Sequence, residues 1–105
     1  MSFPNRGLVK TAQGKAAISQ VPVPKLRDEY ILIKTIAAAL NPTDWQTLDE
    51  KPRQGFKYSV LGVDAAGIVV EVGSKVTKKF KKGDRVLGFS HGGEFLVTFN
   101  YLYLY

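Results

Sequence analysis

The sequence predicts a mainly β protein, a small and partly open β-barrel with one or two short helices. Its 105 residues suffice for about one domain with one hydrophobic core. The apolar segments are short, resemble strands and are separated by turns that contain glycine, and only one segment carries helix-start signals. Short strands, bending glycines and a single short helix are typical of a small barrel.

The first part of the chain contains a hairpin and one long strand. Residues 6–10 and 16–20 are predicted strands, and the Gln-Gly pair between them favours a tight turn. Two prolines in residues 21–26 favour an extended crossing after the hairpin. In residues 30–40 the side chains alternate before the run becomes wholly apolar, which makes this segment the clearest strand.

A short helix is predicted directly after that strand, over residues 42–50. Asn41 suits the N-cap, Pro42 suits the first helical position, and Asp44 lies in the first turn, where a carboxylate is favourable. The stretch LNPTDW therefore lies at a strand-to-helix corner. Such a corner presents backbone N–H groups and short polar side chains at the end of a rigid strand, where a ligand can be held.

The remaining segments predict a loop and two further strands. Residues 51–58 mix charge, proline and glycine, as surface loops do, whereas residues 61–73 form an apolar strand that its glycines can bend. Residues 85–89 predict another strand. The glycines of GVDAAG lack the GxGxxG spacing and precede β-branched residues, so this stretch is not predicted to bind a dinucleotide.

Composition argues against several kinds of site. The chain has no cysteine, and its single histidine, His91, is interpreted as a surface residue, so we expect no bound metal. No apolar stretch approaches the roughly 20 residues of a membrane span, and residues 1–10 lack the pattern of a signal peptide. These features predict a cytoplasmic protein with no membrane partner.

The net charge of +6 is concentrated in one segment, because six of the fifteen basic residues lie in residues 75–85. The favoured interpretation is a solvated loop between two strands, and the second is attraction of an anionic cofactor or phosphate. A nucleic-acid partner is not expected, because only Phe80 interrupts the run and no reading helix follows.

Three motifs in order resemble a known family. LNPTDW, LGVDAAGIVVEVGS and VTKKFKKGDRVLGF are similar to the N-terminal, GroES-like domain of medium-chain dehydrogenases/reductases, a resemblance that covers residues 6–93. Within that superfamily NPTDW resembles the zinc-independent enoyl-reductase and quinone-reductase branch, notably fungal trans-acting enoyl reductases. The resemblance implies a GroES-like domain over residues 1–93, without the Rossmann domain that follows it in the family.

The same resemblance implies a chemistry and a set of site residues. Members of this branch transfer a hydride from NADPH to the β-carbon of an activated double bond in enoyl or quinone-type substrates. Asn41, Pro42, Thr43, Asp44 and Trp45 correspond to the wall beside the nicotinamide, and Thr43 is the catalytic candidate that hydrogen-bonds cofactor or substrate. The competing interpretation is structural, with Asn41 and Asp44 capping the helix and Trp45 filling the core.

The metal ligands of the zinc-dependent members are replaced here. Those members carry a cysteine where this chain has Asn41, and a Gly-His-Glu turn where it has Gly62, Val63 and Asp64. The resemblance therefore implies a metal-free site, and Asp64 is interpreted as a structural residue.

Residues 94–105 form a separate apolar and aromatic segment, which resembles nothing in the family beyond about Phe95. As a strand it would be apolar on both faces near its end. Three origins stay open: it replaces missing closing strands, it pairs with another chain, or it is the read-through of a truncated gene. A homodimer is favoured, since one small barrel covers only one of the two faces.

Two functions follow from these observations. The first is the substrate-side domain of an NADPH-dependent reductase, inactive by itself because it lacks the nucleotide-binding half. The second is a non-catalytic binding or assembly module that retains the barrel and associates through its aromatic tail.

Overall fold

The strands found in a computed structural model of the chain agree with the mainly β prediction. The structure describes residues 5–23, 25–51, 60–89 and 101–104. The elements, in chain order, are β1 (Arg6–Ala12), β2 (Lys15–Gln20), β3 (Ile31–Ala37), α1 (Pro42–Asp49), β4 (Asp64–Val72), β5 (Arg85–Phe89) and β6 (Tyr101–Leu104). The predicted loop at 51–58, apart from Lys51, lies outside the described residues, as do His91 and residues 94–100 of the tail.

The strands form two antiparallel sheets. β1 and β2 make a hairpin whose turn contains Gly14 at φ 72°, a left-handed conformation that favours glycine. The second sheet has the order β5-β4-β3-β6. The two sheets meet where Val9 bridges to Val60 and the Leu61 N–H donates to the Leu8 carbonyl at 2.9 Å. The described strands do not close into a barrel, which agrees with the predicted partly open architecture.

Two small clusters of buried side chains hold these sheets. The larger combines Ile31 and Ile33 of β3 with Ala65 and Val69 of β4, and partly buried Val72, Val76, Phe80 and Val86 pack against it. The smaller joins Val21 and Val60, with Val9 packed against them. The alternation of β3 and β4 therefore directs one face of the four-stranded sheet into the core.

The basic segment is a loop between β4 and β5, as its composition predicts. Val76 and Phe80 point into the larger cluster, while the lysines of residues 78–82 are exposed. Within the loop the Lys81 N–H donates to the Asp84 carboxylate at 2.8 Å, which fixes the turn at Gly83. The apolar side chains anchor the loop and the cations remain in solvent.

Two strands are shorter than the sequence predicts. β3 ends at Ala37 instead of residue 40, because the Ala39 N–H bonds to the side chain of Asp64 and not to a neighbouring strand. β4 begins at Asp64 instead of residue 61, since Gly62 has φ 111° and turns the chain before the strand starts. Both differences occur at the corner that contains LNPTDW.

The end of the chain pairs with its own sheet. β6 lies antiparallel to β3, with Ile31 opposite Leu104 and Lys34 opposite Tyr101. Of the roles left open for the tail, the structure therefore places residues 101–104 as an additional strand. Among the described residues, no helix has the length and apolarity needed to cross a membrane.

Gly67 should be sensitive to any added side chain, because it lies where β3 and β4 approach closely. A Cβ there would lie 2.9 Å from the carbonyl carbon of Lys34 and nearer still to its oxygen. We expect Gly67→Ala to lower the free energy of unfolding by about 2–3 kcal/mol in urea titrations, since backbone must move. The adjacent control, Ala66→Gly, should cost no more than about 1 kcal/mol. Equal costs for the two variants would contradict this close approach.

Candidate active site

The corner between β3 and α1 is built around the N-terminus of the helix. Asn41 is the N-cap, with extended φ and ψ of −126° and 154°, and Pro42 opens the helix as predicted. Asp44 accepts a hydrogen bond from the Asn41 N–H through Oδ2 at 2.8 Å. The first turn is thus fixed by a carboxylate that returns to the capping residue.

Asp64 joins this corner to the sheet. Its Oδ1 accepts the Ala39 N–H at 3.0 Å, and its Oδ2 accepts the side-chain amide of Asn41 at 2.9 Å. Both oxygens of one carboxylate on β4 therefore hold the segment that leads into α1. The predicted structural role of Asp64 agrees with this geometry.

The other end of α1 is held by the β1–β2 hairpin. Lys10 donates from Nζ to the carbonyls of Thr47, at 2.7 Å, and Glu50. The Gln13 side chain donates to the Asp49 carbonyl at 2.7 Å, and the Gly14 N–H donates to Leu48 at 2.8 Å. The last turn contains no basic residue of its own, so Lys10 supplies the cation that favours a helix C-terminus.

These polar contacts matter because α1 buries none of its side chains. Trp45 is 59% exposed and lies outside both buried clusters, so the core-filling interpretation of Trp45 is wrong. The helix is therefore positioned by hydrogen bonds at its two ends more than by apolar packing. Sequence inspection missed Lys10 and Gln13, whose partners lie 36 to 40 residues away.

A groove of about 520 Å³ lies between α1 and the end of β3. Its lining includes residues 35–40, from the end of β3 onward, and Asp44, Trp45 and Leu48 of α1. Leu8, Leu61 and Gly62 complete the lining, which is mostly apolar. Among the described residues of this lining, Asp44 is the one that titrates. The arrangement suits an apolar ligand with a small polar group.

The structure brings together some of the predicted site residues. Asp44 and Trp45 line the groove, and Asn41 lies beside it through its bond to Asp64. Pro42 and Thr43 are exposed at the start of α1 and are not among the lining residues. The wall formed by residues 35–40 was not predicted as part of the site, although its wholly apolar run after an alternating strand was the signal for it.

Two buried polar atoms of this region have no hydrogen-bond partner. They are Thr35 Oγ1 and Asp44 Oδ1, and both residues line the groove. Leaving such an atom unpaired costs about 1–3 kcal/mol, so each requires an explanation. Across the described parts of the chain, no group of three or more His, Cys, Asp or Glu side chains is arranged to hold a metal ion.

This fold and corner match a known family. Residues 27–96, more than half of the chain, match the alcohol dehydrogenase GroES-like domain. The chain belongs to that family. This GroES-like domain is 46% identical over 93 residues to the trans-enoyl reductase TOXD of Cochliobolus carbonum, covering 89% of this chain and 30% of that protein.

Two further comparisons agree. The GroES-like domain is 46% identical over 89 residues to the trans-enoyl reductase resD of Aspergillus sclerotiorum, covering 84% of this chain and 24% of that protein. The quinone oxidoreductase from Coxiella burnetii superimposes with a TM-score of 0.73 at 27% identity, covering 95% of this chain and 34% of that one. The domain is therefore homologous to enoyl reductases and quinone oxidoreductases of the medium-chain superfamily, and it spans less than two thirds of their length.

The Asp64 contacts can be tested by removing the carboxylate. Asp64→Ala deprives the Ala39 N–H and the Asn41 amide of their acceptor, and we expect a loss of about 2–3 kcal/mol in urea unfolding. Glu71→Ala, which removes an exposed carboxylate from the same strand, should change stability by about 0.5 kcal/mol or less. A double-mutant cycle with Asn41→Ala should give a coupling of about 1 kcal/mol. A coupling near zero would mean that the Asn41–Asp64 contact does not hold the corner.

Proposed function

We propose that the chain is the substrate-side domain of a zinc-independent, NADPH-dependent reductase of activated double bonds, of the enoyl or quinone type. The observation that carries the proposal is the apolar groove at the strand-to-helix corner, lined by Asp44 and Trp45 of the NPTDW motif. The relatives of highest identity named above are trans-enoyl reductases, which supports an enoyl substrate. The apolar walls would hold an acyl chain and keep water from the double bond.

The donor set at the corner argues against a zinc ion. By the resemblance described above, Asn41 and Val63 correspond to zinc ligands of the zinc-dependent branch. Neither side chain offers a thiolate or an imidazole. Both oxygens of Asp64 already accept hydrogen bonds from Ala39 and Asn41. The Asp64 carboxylate thus stabilises the protein chain. In the proposed reaction, hydrogen-bond donors would polarise the substrate carbonyl in place of a zinc ion.

The residues present fit one end of NADPH, which when bound supplies the hydride. The mostly apolar lining of the groove, with the exposed ring of Trp45, suits a flat and largely apolar ring such as nicotinamide. The described residues that line the groove offer no cation to the pyrophosphate, since Asp44 is the one charged residue among them. We infer that the phosphates bind to a separate nucleotide-binding domain, and that this chain has no activity without it.

The protein itself would bind and orient the substrate and stabilise the negative charge that develops on its carbonyl oxygen. Thr43, exposed at the start of α1 next to Asp44, is the proposed donor to the substrate carbonyl as negative charge develops on its oxygen. Trp45 would restrict the position of the acyl chain along the groove. Asn41 and Pro42 would set the backbone from which these side chains project.

The alternative function, a non-catalytic assembly module, is favoured by one observation. Among the described strands, β6 is at the edge of its sheet and pairs only with β3. An open edge of this kind can pair with the same edge of a second copy. A cytoplasmic homodimer without nucleic-acid or membrane partners is the form this alternative would take.

A chimera tests the proposed reductase function. Residues 6–93 would replace the matching segment of the Cochliobolus carbonum relative, and NADPH oxidation would be followed with an enoyl thioester. We expect an active enzyme in which Thr43→Ala lowers kcat by about 100-fold, the effect of losing one donor to a developing oxyanion. Thr77→Ala, in the exposed loop before β5, should leave kcat unchanged. A folded chimera that binds NADPH without reducing the substrate would exclude the proposal.

The purified chain by itself should oxidise no NADPH and contain no stoichiometric zinc. The first expectation follows because the described lining of the groove contains no cation that could bind phosphate, and the second because the Asn41 and Val63 side chains are poor zinc ligands. Absorbance assays with an enoyl thioester and elemental analysis provide the measurements. One zinc per chain, or turnover that Thr43→Ala abolishes, would be the contrary result.

The homodimer can be tested by light scattering over a concentration series. We expect a dimer that becomes monomeric in Tyr103→Lys, because a lysine on β6 opposes pairing between edges. Leu87→Lys, on the exposed face of β5 at the other side of the sheet, should leave the dimer intact. A wild-type chain that stays monomeric at high micromolar concentration would argue against the assembly function.

A further inference from the structure

Strand β1 contacts both the lining of the groove and the end of α1. Leu8 of β1 lines the groove, and its carbonyl accepts the N–H of Leu61, another lining residue, at 2.9 Å. Further along the same strand, Lys10 donates from Nζ to the carbonyls of Thr47 and Glu50. One strand therefore joins part of the groove to the helix that supplies other lining residues.

The two contacts are made from one face of the strand. Leu8 and Lys10 share that face because side chains of a strand alternate and these two are separated by a single residue. The pairing with β2 is regular through both positions, with Leu8 opposite Ile18 and Lys10 opposite Ala16. Their backbone positions are therefore held about 7 Å apart by strand geometry. The strand thus determines how far the end of α1 lies from Leu8.

Helix α1 has few other contacts that could determine its orientation. None of its side chains is buried, and neither buried cluster contains a residue of the helix. The segment that leads into the helix is held by Asp64 of β4, so the hairpin contacts decide where the last turn lies. Leu48, in that turn, lines the groove, and its carbonyl accepts the Gly14 N–H at 2.8 Å.

We propose that Lys10 is a positioning residue of the groove: through the last turn of α1 it fixes Trp45 and Leu48 relative to Leu8, and so the shape that an apolar substrate enters. The inference rests on the proposed function, because it adds to the same groove a residue that touches no substrate. A preformed groove binds more tightly than one that must be ordered on binding, since ordering reduces the affinity. Lys10 therefore supports substrate binding from outside the groove.

Lys10 is the strongest of the hairpin contacts for a chemical reason. It brings a cation to a last turn that has no basic residue of its own, and it joins two carbonyls there. A hydrogen bond from a charged donor is roughly twice as strong as a neutral one. Gln13 supplies a neutral amide to the Asp49 carbonyl alone, and the Gly14 contact comes from backbone. Lys10→Met keeps most of the apolar stem and removes only the charged donor.

The experiment uses Trp45, the only tryptophan of the chain and a lining residue of the groove, as a fluorescent reporter. The full chain would be titrated with methyl trans-2-decenoate, a neutral enoyl ester. We expect Lys10→Met to weaken binding about tenfold, the factor that corresponds to one charge-assisted hydrogen bond. The emission maximum of the free chain should shift in the same variant, because the surroundings of the indole change. Lys10→Arg retains a cation with several donors and should bind within about twofold of wild type.

Further measurements separate positioning from a loss of folding. Lys15→Met, at the exposed start of β2, is the matched control and should change neither affinity nor emission. The urea midpoint of Lys10→Met should stay within about 0.5 M of wild type, because both buried clusters form without α1. Since Lys10 acts through the helix, Lys10→Met should weaken binding much less in a Leu48→Ala chain than in wild type.

The chimera supplies the kinetic counterpart, because its residues 6–93 include Lys10. With an enoyl thioester as substrate, Lys10→Met should raise KM about tenfold and leave kcat within about twofold, the pattern of lost substrate binding. A lower kcat with an unchanged KM would contradict a positioning role in binding.

Equal binding of the ester by wild type and Lys10→Met would overturn the inference, as would a loss that Lys10→Arg fails to restore. Absence of ester binding by the wild-type chain would overturn it as well. A chimera that binds NADPH without turnover would exclude the reductase function alone, because the ester titration of the chain decides the role of Lys10 separately. An active chimera whose KM is unaffected by Lys10→Met would exclude the role of Lys10 and leave the reductase function standing.

Discussion

The carboxylate of Asp64 is the contact on which the rest of the site depends. It accepts hydrogen bonds from the Ala39 N–H and the Asn41 side chain, and thereby ties the start of α1 to the first residue of β4, an inner strand of the larger sheet. Because α1 buries no side chain, apolar packing cannot replace this contact. Lys10, Gln13 and Gly14 perform the same task at the far end of the helix. The groove exists because these polar contacts hold the helix away from the core.

The residues that form the buried core of this domain are different from those that line the groove. The buried clusters around Ile33 and Val60 hold the sheets together without any side chain of α1. Ile36, Leu40 and Trp45 therefore remain exposed in a domain that does not need them for its own core. Exposed apolar side chains gathered in a groove generally mark a surface that another molecule or domain covers. The domain spans at most 34% of the length of each relative described above. In those relatives, further parts of the protein are therefore available to cover such a surface.

The corner combines a polar framework with a mostly apolar groove. Backbone groups and the short side chains of Asn41, Asp44 and Asp64 form the framework, whereas most residues that line the groove are apolar. The basic loop takes no part in the groove, because Val76 and Phe80 pack against the larger buried cluster and no residue of the loop is among the described lining residues.

The sequence by itself determined the elements whose signals are local. The hairpin turn at Gly14, the capped helix start at Asn41 and Pro42, the alternation of β3 and the apolar run of β4 are all readable within about ten residues, and three motifs indicated the family. Only the tertiary structure decided that Trp45 lines a groove instead of filling the core, and that Asp64, Lys10 and residues 35–40 belong to one site. The physical reason is that these roles depend on hydrogen bonds between residues 23 to 40 positions apart, and on which side chains the folded chain leaves exposed. Neither property produces a periodic pattern in the sequence.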